Sequence, residues 1–373
     1  MAERRRVPVM TVPCIVGTGL ITLDLIYRGD AKVPLSRAAG GTCGNVLAIL
    51  AYLGWRAVPV SRLDDDVAGD LVEADLKSWG VDVRFLRMEP RAPTPIIAER
   101  IRRRDGRVVH SFLFACQCCG AMLPRFRAIR LGEADSVVAA IAKPTVFFFD
   151  RASPASVRMA KTYAANGGLV VFEPSSVGEP RTFEAALAAS HVVKYSEQRM
   201  GGLPVTRPTG RRLEIQTRGA DGLRYRVAEG RRLGSWLTLP SLPAPQVLDT
   251  AGAGDWCTAG LLLQAGSEGV ESMPARQIEQ ALRYGQAMSA WNCRFEGARG
   301  GMYEHSSKEM RREVEAILSG SSVSAEPEHV ELDCARTPVS ICPACDRSPA
   351  PGRRAELGRP ARSSSLRPAG RTK

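Results

Sequence analysis

Three stretches of the sequence carry residues whose types and spacing could do chemistry. The first is Asp249-Thr250-Ala251-Gly252-Ala253-Gly254-Asp255, which runs directly into the apolar stretch Trp256 to Leu263. Small residues let a backbone turn tightly and bring its N–H groups against a ligand. The apolar stretch reads as a buried helix. A helix N-terminus fed by such a turn holds anions through free N–H groups and the positive end of the dipole. Asp255 would repel a bound phosphate unless it faces a hydroxyl and accepts its proton while the amides hold the phosphoryl group in transfer. General-base help of this kind contributes about 10²–10⁴-fold, and fixed donors around a developing anion contribute more. The plainer alternative is a glycine-rich loop with Asp255 as a helix-start acid. The second stretch is Gly40-Gly41-Thr42-Cys43-Gly44-Asn45, leading into another helix. Asn45 there is either a cap or a ligand contact. The third is Asp24, just beyond the first strand, either a hydroxyl-binding carboxylate or a surface acid.

The ten cysteines form a separate set. In a chain without a secretory leader they read as thiols or metal ligands rather than disulfides. Cys14, Cys43, Cys257 and Cys293 sit in apolar or helical contexts and read as core. Cys116-Gln117-Cys118-Cys119-Gly120 and Cys342-Pro343-Ala344-Cys345 each contain a C-x-x-C pair. Together Cys116, Cys119, Cys342 and Cys345 supply four thiolates for tetrahedral Zn²⁺, with Cys118, Cys334 and His329 as substitutes. Uncoordinated thiols and redox chemistry are the alternatives. The pairs are far apart in the chain, but loop-closure cost grows only logarithmically with length.

The elements that must position these groups alternate between strand and helix. Cys14–Gly19, Ala57–Arg62, Thr145–Phe149, Leu169–Phe172, Val192–Tyr195 and Leu213–Thr217 read as strands. Asn45–Leu53, stopped by Gly54, and Asp66–Trp79, followed by Gly80, read as helices. Continuous apolar strands separated by helices predict a mainly parallel sheet covered on both faces. Ile96–Ile101 and Val108–Phe114 flank an Asp105-Gly106 hairpin signal, which predicts a small β lid over a site. The arginines at its tip read as a solvated loop or as contacts to an anionic substrate. The last ordered element is a helix over Lys308–Leu318, with Ser306 and Glu309 as a capping box.

Composition bounds the rest. The chain has 373 residues, 44% apolar and 24% charged, which is ordinary for a globular protein. No apolar run approaches the roughly 18 residues of a membrane span, and the N-terminus makes a poor signal peptide, so a cytoplasmic protein is expected. Collagen, wholesale disorder, an integral membrane protein and a secreted disulfide miniprotein are excluded. The net charge is +12, and +7 of it lies in residues 347–373. That tail reads as disordered, either without a partner or in weak contact with nucleic acid or anionic surfaces. The body has no strong basic excess, so nucleic acid is not expected as a main partner. No Gly-Lys dipeptide occurs, which excludes a Walker A P-loop.

An early strand with an Asp, a Gly-Gly-x-x-x-Asn turn and a late Asp-Thr-x-Gly-Ala-Gly-Asp segment together resemble the ribokinase-like (PfkB) family of carbohydrate and nucleoside kinases. The resemblance covers roughly residues 12–318. It implies an α/β, three-layer sandwich with a mainly parallel central sheet and a small β lid, and transfer of the ATP γ-phosphate to a substrate hydroxyl. By this resemblance Asp255 matches the catalytic base and Ala251, Gly252, Ala253 and Gly254 the anion hole. Asp24, Gly41, Asn45 and Asp255 match substrate-binding positions. Thr217-Arg218-Gly219-Ala220-Asp221-Gly222 resembles the family's Thr-x-Gly-x-x-Gly nucleotide segment; unaided, it is a strand ending in a glycine turn. Lys194-Tyr195-Ser196-Glu197 resembles an Asn-x-x-Glu element whose Glu organises Mg²⁺ through water. Lys194 replaces the usual Asn, a departure that bears on the metal geometry but keeps a phosphate ligand. Gly297-Ala298 resembles a segment near the adenine and monovalent-cation sites.

The expected organisation is therefore a kinase domain over 1–318, with a lid from about 23–40 and 92–128. A linker over 319–346 carries the zinc knuckle, and the basic tail spans 347–373. ATP, Mg²⁺, a monovalent cation and structural Zn²⁺ are the implied cofactors. A sugar is the first-choice acceptor and a nucleoside the second. A non-catalytic, zinc-stabilised ligand- or nucleic-acid-binding protein is the reading from another class. The exposed lid sheet offers a homodimer surface.

Overall fold

The computed structural model describes residues 12–31, 34–87, 92–104, 107–204, 210–230, 232–266, 269, 273–321 and 341–346. The Asp105-Gly106 tip, His329, Cys334 and the basic tail lie outside the described residues. In chain order the elements begin β1 (Cys14–Thr18), β2 (Thr22–Arg28), β3 (Ser36–Gly40), α1 (Thr42–Tyr52), β4 (Arg56–Val60), α2 (Val67–Ser78), β5 (Ile96–Arg104) and β6 (Arg107–Leu113). They continue α3 (Leu131–Ala140), β7 (Val146–Phe149), α4 (Pro154–Ala165), β8 (Leu169–Phe172), α5 (Pro180–Ala188), β9 (Val192–Ser196), α6 (Glu197–Met200), β10 (Arg211–Thr217) and β11 (Leu223–Glu229). The last are β12 (Arg232–Leu233), β13 (Leu237–Leu239), α7 (Ala253–Ala265), α8 (Ala275–Asn292), α9 (Gly300–Glu304), α10 (Ser307–Leu318) and α11 (Pro343–Asp346).

Nine strands make the central sheet, in the order β12-β11-β10-β9-β8-β7-β1-β4, with β13 beside β11. From β4 through β10 every pairing is parallel, and the β10–β11 hairpin turns the far edge antiparallel. The uninterrupted apolar strands follow from burial on both faces. Along β7 and β8, Val146, Phe148, Leu169 and Val171 enter one core, while Phe147, Phe149, Val170 and Phe172 enter the other. The first core is shared with α1, α2, α7, α8 and α10, and the second with α3, α4 and α5. These are the three layers. Among the described residues no helix is long and apolar enough to cross a membrane.

A second sheet, β3-β2-β5-β6, stands apart from the first. It contains the predicted hairpin, β5 with β6, but β2 joins β5 in parallel and β3 joins β2 antiparallel. α1 begins at Thr42, three residues before the Asn45 start read from the sequence. Gly41 sets that start: its φ is 78°, and a side chain there would lie 2.4 Å from the Leu20 carbonyl oxygen, so only glycine makes this turn. Asn45 therefore lies inside the helix, with its side chain free for work other than capping. Ser306 and Glu309 do form a capping box at α10.

Candidate active site

Ligands of open parallel sheets bind beyond the carboxyl ends of the strands, where the strand order reverses. β1 lies between β7 and β4, so the reversal falls beside β1. The acids Asp150 and Glu173 directly follow β7 and β8, and Lys194 lies on β9. The N-terminus of α7 faces the same rim, because Gly254 lies against Lys194 and Glu173: a Cβ there would be 3.6 Å from Lys194 Nζ and 3.7 Å from Glu173 Oε1.

The turn into α7 is fixed from two sides. Asp249, fully buried, accepts from Ala251 N–H at 2.7 Å and from Gly297 N–H at 2.8 Å. The Ala298 carbonyl accepts from Trp256 Nε1 at 3.0 Å and Asn292 Nδ2 at 3.2 Å. Gly252 passes over that carbonyl with φ 71°, and a Cβ there would lie 2.2 Å from Ala298 O. Ala253 N–H reaches Thr250 O at 3.3 Å. Of the four predicted anion-hole residues, Ala251 and Ala253 thus spend their N–H groups within the turn. Among the described residues no acceptor takes the N–H of Gly252 or Gly254.

Asp255 stands one step further along and is 8% exposed. Its Oδ2 accepts from Asn45 Nδ2 at 2.7 Å. Burial, and then the negative charge of Glu173, push its carboxyl up to about 7, against the opposing pull of Asn45 and Lys194. Asn45 is 4% exposed, and its Oδ1 has no partner among the described residues. A buried amide oxygen without a donor is costly, and a ligand hydroxyl would satisfy it.

Asp24 is on β2, in the lid sheet, opposite Ala38 of β3. Its Oδ1 accepts from the Thr22 hydroxyl at 2.6 Å. Burial raises its carboxyl to about 6, with the Thr22 hydroxyl, the Arg299 guanidinium and the Gly41 N–H pulling the other way. The lid and the α1 turn thus meet at Asp24 and Gly41.

On the other side of α7, Lys194 is 2% exposed and ion-paired to Glu173. Glu173 also accepts from the Thr258 hydroxyl at 2.6 Å. Glu197 starts α6, is 41% exposed, and pairs with Arg218 at 3.2 Å. This pair ties α6 to the turn after β10. Thr217 lies opposite Ser196 in the β10–β9 register, and its hydroxyl donates to Tyr195 O at 3.4 Å. Gly219 and Gly222 bound a single 3-10 turn, closed by Arg218 N–H to Gly222 O at 2.8 Å. The residues assigned to nucleotide binding therefore share one stretch of rim.

Sequence reasoning missed Glu173 and Asp150. Asp150 is 1% exposed, accepts from Leu20 N–H at 2.8 Å, and pairs with Arg151 at 3.0 Å. The available signal was an acid immediately after a continuous apolar strand, which in a parallel sheet falls on the ligand-binding rim.

The rim thus brings together a buried carboxylate, two helix-start N–H groups without an acceptor among the described residues, and the smaller sheet that carries Asp24. The pfkB family carbohydrate kinase profile matches residues 16–198 and 203–304, and the chain belongs to that family. It is 26% identical over 301 residues to an ATP-dependent ribose-1-phosphate kinase from Halopiger xanaduensis, covering 76% of this chain and 93% of that one. It is also 26% identical over 315 residues to fructokinase-1 of Oryza sativa subsp. japonica, covering 77% and 89%. Among solved structures, Arabidopsis thaliana ribokinase complexed with ribose and ATP has the same fold, with a TM-score of 0.57 at 18% identity, covering 83% of this chain and 99% of that one.

Proposed function

We propose that the chain transfers the γ-phosphate of ATP to a hydroxyl of a sugar, with Asp255 as general base and the Ala251–Gly254 turn as anion hole. The observation that carries this reading is the Asn45–Asp255 pair. It joins a buried carboxylate with a raised pKa to an amide whose oxygen has no partner among the described residues. A sugar hydroxyl placed there donates to Asp255, and a neighbouring hydroxyl donates to Asn45 Oδ1. Asp24 holds a further hydroxyl from the lid side. Asp255 takes the proton as the acceptor oxygen attacks, while the Gly252 and Gly254 N–H groups donate to the oxygens of the moving phosphoryl group. Such positioning and electrostatic stabilisation account for most of phosphoryl-transfer catalysis.

Lys194, Glu197 and the Thr217–Gly222 turn form the nucleotide side in this reading. Mg²⁺ takes hard oxygen ligands and usually keeps waters and substrate phosphates in its shell. Glu197 fits that role as an accessible carboxylate on the rim. Glu173 fits it less well, because its side chain is 12% exposed and held by both Lys194 and Thr258. When bound, the ion supplies charge neutralisation at the ATP phosphates.

The test is an acceptor panel of free sugars, sugar phosphates and nucleosides, following ADP release and identifying the product. Asp255→Asn should lower kcat at least about 10²-fold while leaving ATP binding intact. No turnover with any acceptor, or an undiminished Asp255→Asn variant, sinks the reading.

A further inference from the structure

We propose that Cys116, Cys119, Cys342 and Cys345 hold a structural Zn²⁺ that clips the segment 341–346 to the base of the lid. The four sulfurs lie within 4.8 Å of one another. Cys116 Sγ is 3.7 Å from Cys345 Sγ, and Cys119 Sγ is 3.8 Å from Cys342 Sγ. Disulfide sulfurs sit at about 2.05 Å, so these are not bonded pairs. Four thiolates about 2.3 Å from a central Zn²⁺ in a tetrahedron are separated by about 3.8 Å. Both measured spacings fall on that edge length, although each joins residues more than 220 positions apart. A tetrahedral set of four sulfurs selects Zn²⁺ or iron over harder cations. With all four positions filled by protein, no coordination site remains for substrate, which marks a structural centre rather than a catalytic one.

The backbone around the first pair is built to present its sulfurs. Ala115 and Met122 form an isolated antiparallel bridge just beyond β6. Within it Cys116 N–H donates to Ala121 O at 2.8 Å, and Gly120 N–H to Cys116 O at 2.9 Å. Cys118 N–H points at Cys116 Sγ from 3.4 Å. The second pair spans the start of α11, with Cys342 7% exposed and joined to the larger core.

The loop is also anchored to the lid. Arg100 of β5, 7% exposed, donates to Gln117 Oε1 and to Gly29 O, both at 2.7 Å. Metal binding would displace the thiol protons to solvent with no change of oxidation state. One ion would then tie a distant part of the chain to the sheet that carries Asp24.

The proposal stands apart from the kinase reading, since metal content is measured without turnover. Full-length protein prepared with zinc present should carry about one equivalent per chain by elemental analysis. Co²⁺ exchanged into it should give the intense thiolate charge-transfer and tetrahedral d–d bands of a four-sulfur site. Cys116→Ser combined with Cys345→Ser should abolish both signals, whereas Cys118→Ser, outside the set, should keep them. Thiol titration of the native protein should show four thiols that react only after a chelator is added. Less than half an equivalent, one equivalent of iron instead, or metal retained in the double variant overturns the assignment. Because the Co²⁺ spectrum and thiol count use the unmutated chain, a misfolded variant does not leave the question open.

Discussion

Lys194 and Glu173 form a closed ion pair beneath the N-terminus of α7, and Gly254 lies directly against both. Burial works against the charge on Lys194, yet Glu173 holds its pKa above the ordinary lysine value. The pair sits between two demands. Lys194 favours the ionised form of Asp255, and Glu173 disfavours it.

Removing one partner should show both effects. Lys194→Met leaves Glu173 buried without its cation, which costs about 3–5 kcal/mol for a buried pair. It should also move the pH midpoint of activity upward, because the cation that favours ionised Asp255 is gone. Glu173→Gln should move that midpoint downward. Urea denaturation together with pH–rate profiles checks this. If the Lys194→Met/Glu173→Gln double variant is no more stable than Lys194→Met alone, the two side chains are not coupled as described.

With Asp255 as the proposed general base, its carboxyl, raised to about 7 by burial, should govern the pH dependence of activity in the unmutated protein. A general base works only when ionised, so kcat/KM should rise as pH increases through about 7 and then level off. Stability should run the other way. The folded state holds its Asp255 proton up to about pH 7, and the unfolded chain releases it near 4. Stability from this group is therefore fully present below about pH 4 and is lost as pH climbs to about 7. Asp24, raised to about 6, adds to the same trend. Asp255→Asn should then be inactive yet more stable than the parent at pH 8, by at most about 4 kcal/mol. The gain should shrink toward pH 5. Melting curves at the two pH values decide it, and an Asn variant less stable than the parent at pH 8 would contradict the desolvation account.

How much of this site the sequence displays depends on whether its logic is local. The α7 turn is legible because small residues, an acid and an apolar helix are all consecutive. Gly41 and Asn45 are legible for the same reason. Asp150 and Glu173 are not, since each merely follows an apolar strand. They become rim residues only through the order β9-β8-β7-β1, which depends on pairing between distant segments. Lys194 is visible as a departure from the family pattern, but its partner is not. The lid shows the same split. Its Asp-Gly hairpin is a local signal, while β3, with the sequence Ser36-Arg37-Ala38-Ala39-Gly40, lacks β-branched and aromatic residues and is a strand through its pairing with β2. The two C-x-x-C pairs can be read from spacing, but their meeting is a property of the folded chain.

Gly254→Ala should separate stability from function. Gly254 is within α7, where its φ is not in the left-handed region. An added Cβ would meet only Lys194 Nζ at 3.6 Å and Glu173 Oε1 at 3.7 Å, which are ordinary contacts. Alanine is the better helix former by about 0.5–1 kcal/mol, so the variant should fold and melt no lower than the parent. The new methyl group nevertheless sits at the α7 start, next to the Gly254 N–H proposed to hold the phosphoryl group, and against Lys194 and Glu173. Activity should fall by an order of magnitude or more, with ATP affinity weakened. Gly252→Ala, by contrast, should fold poorly, because φ 71° and the 2.2 Å approach to Ala298 O leave no room. A Gly254→Ala protein that is stable and fully active would show that the transferring phosphate does not lie against the start of α7. A loss of stability in that variant would instead mean that the helix start cannot accept a methyl group, contrary to the contacts it makes.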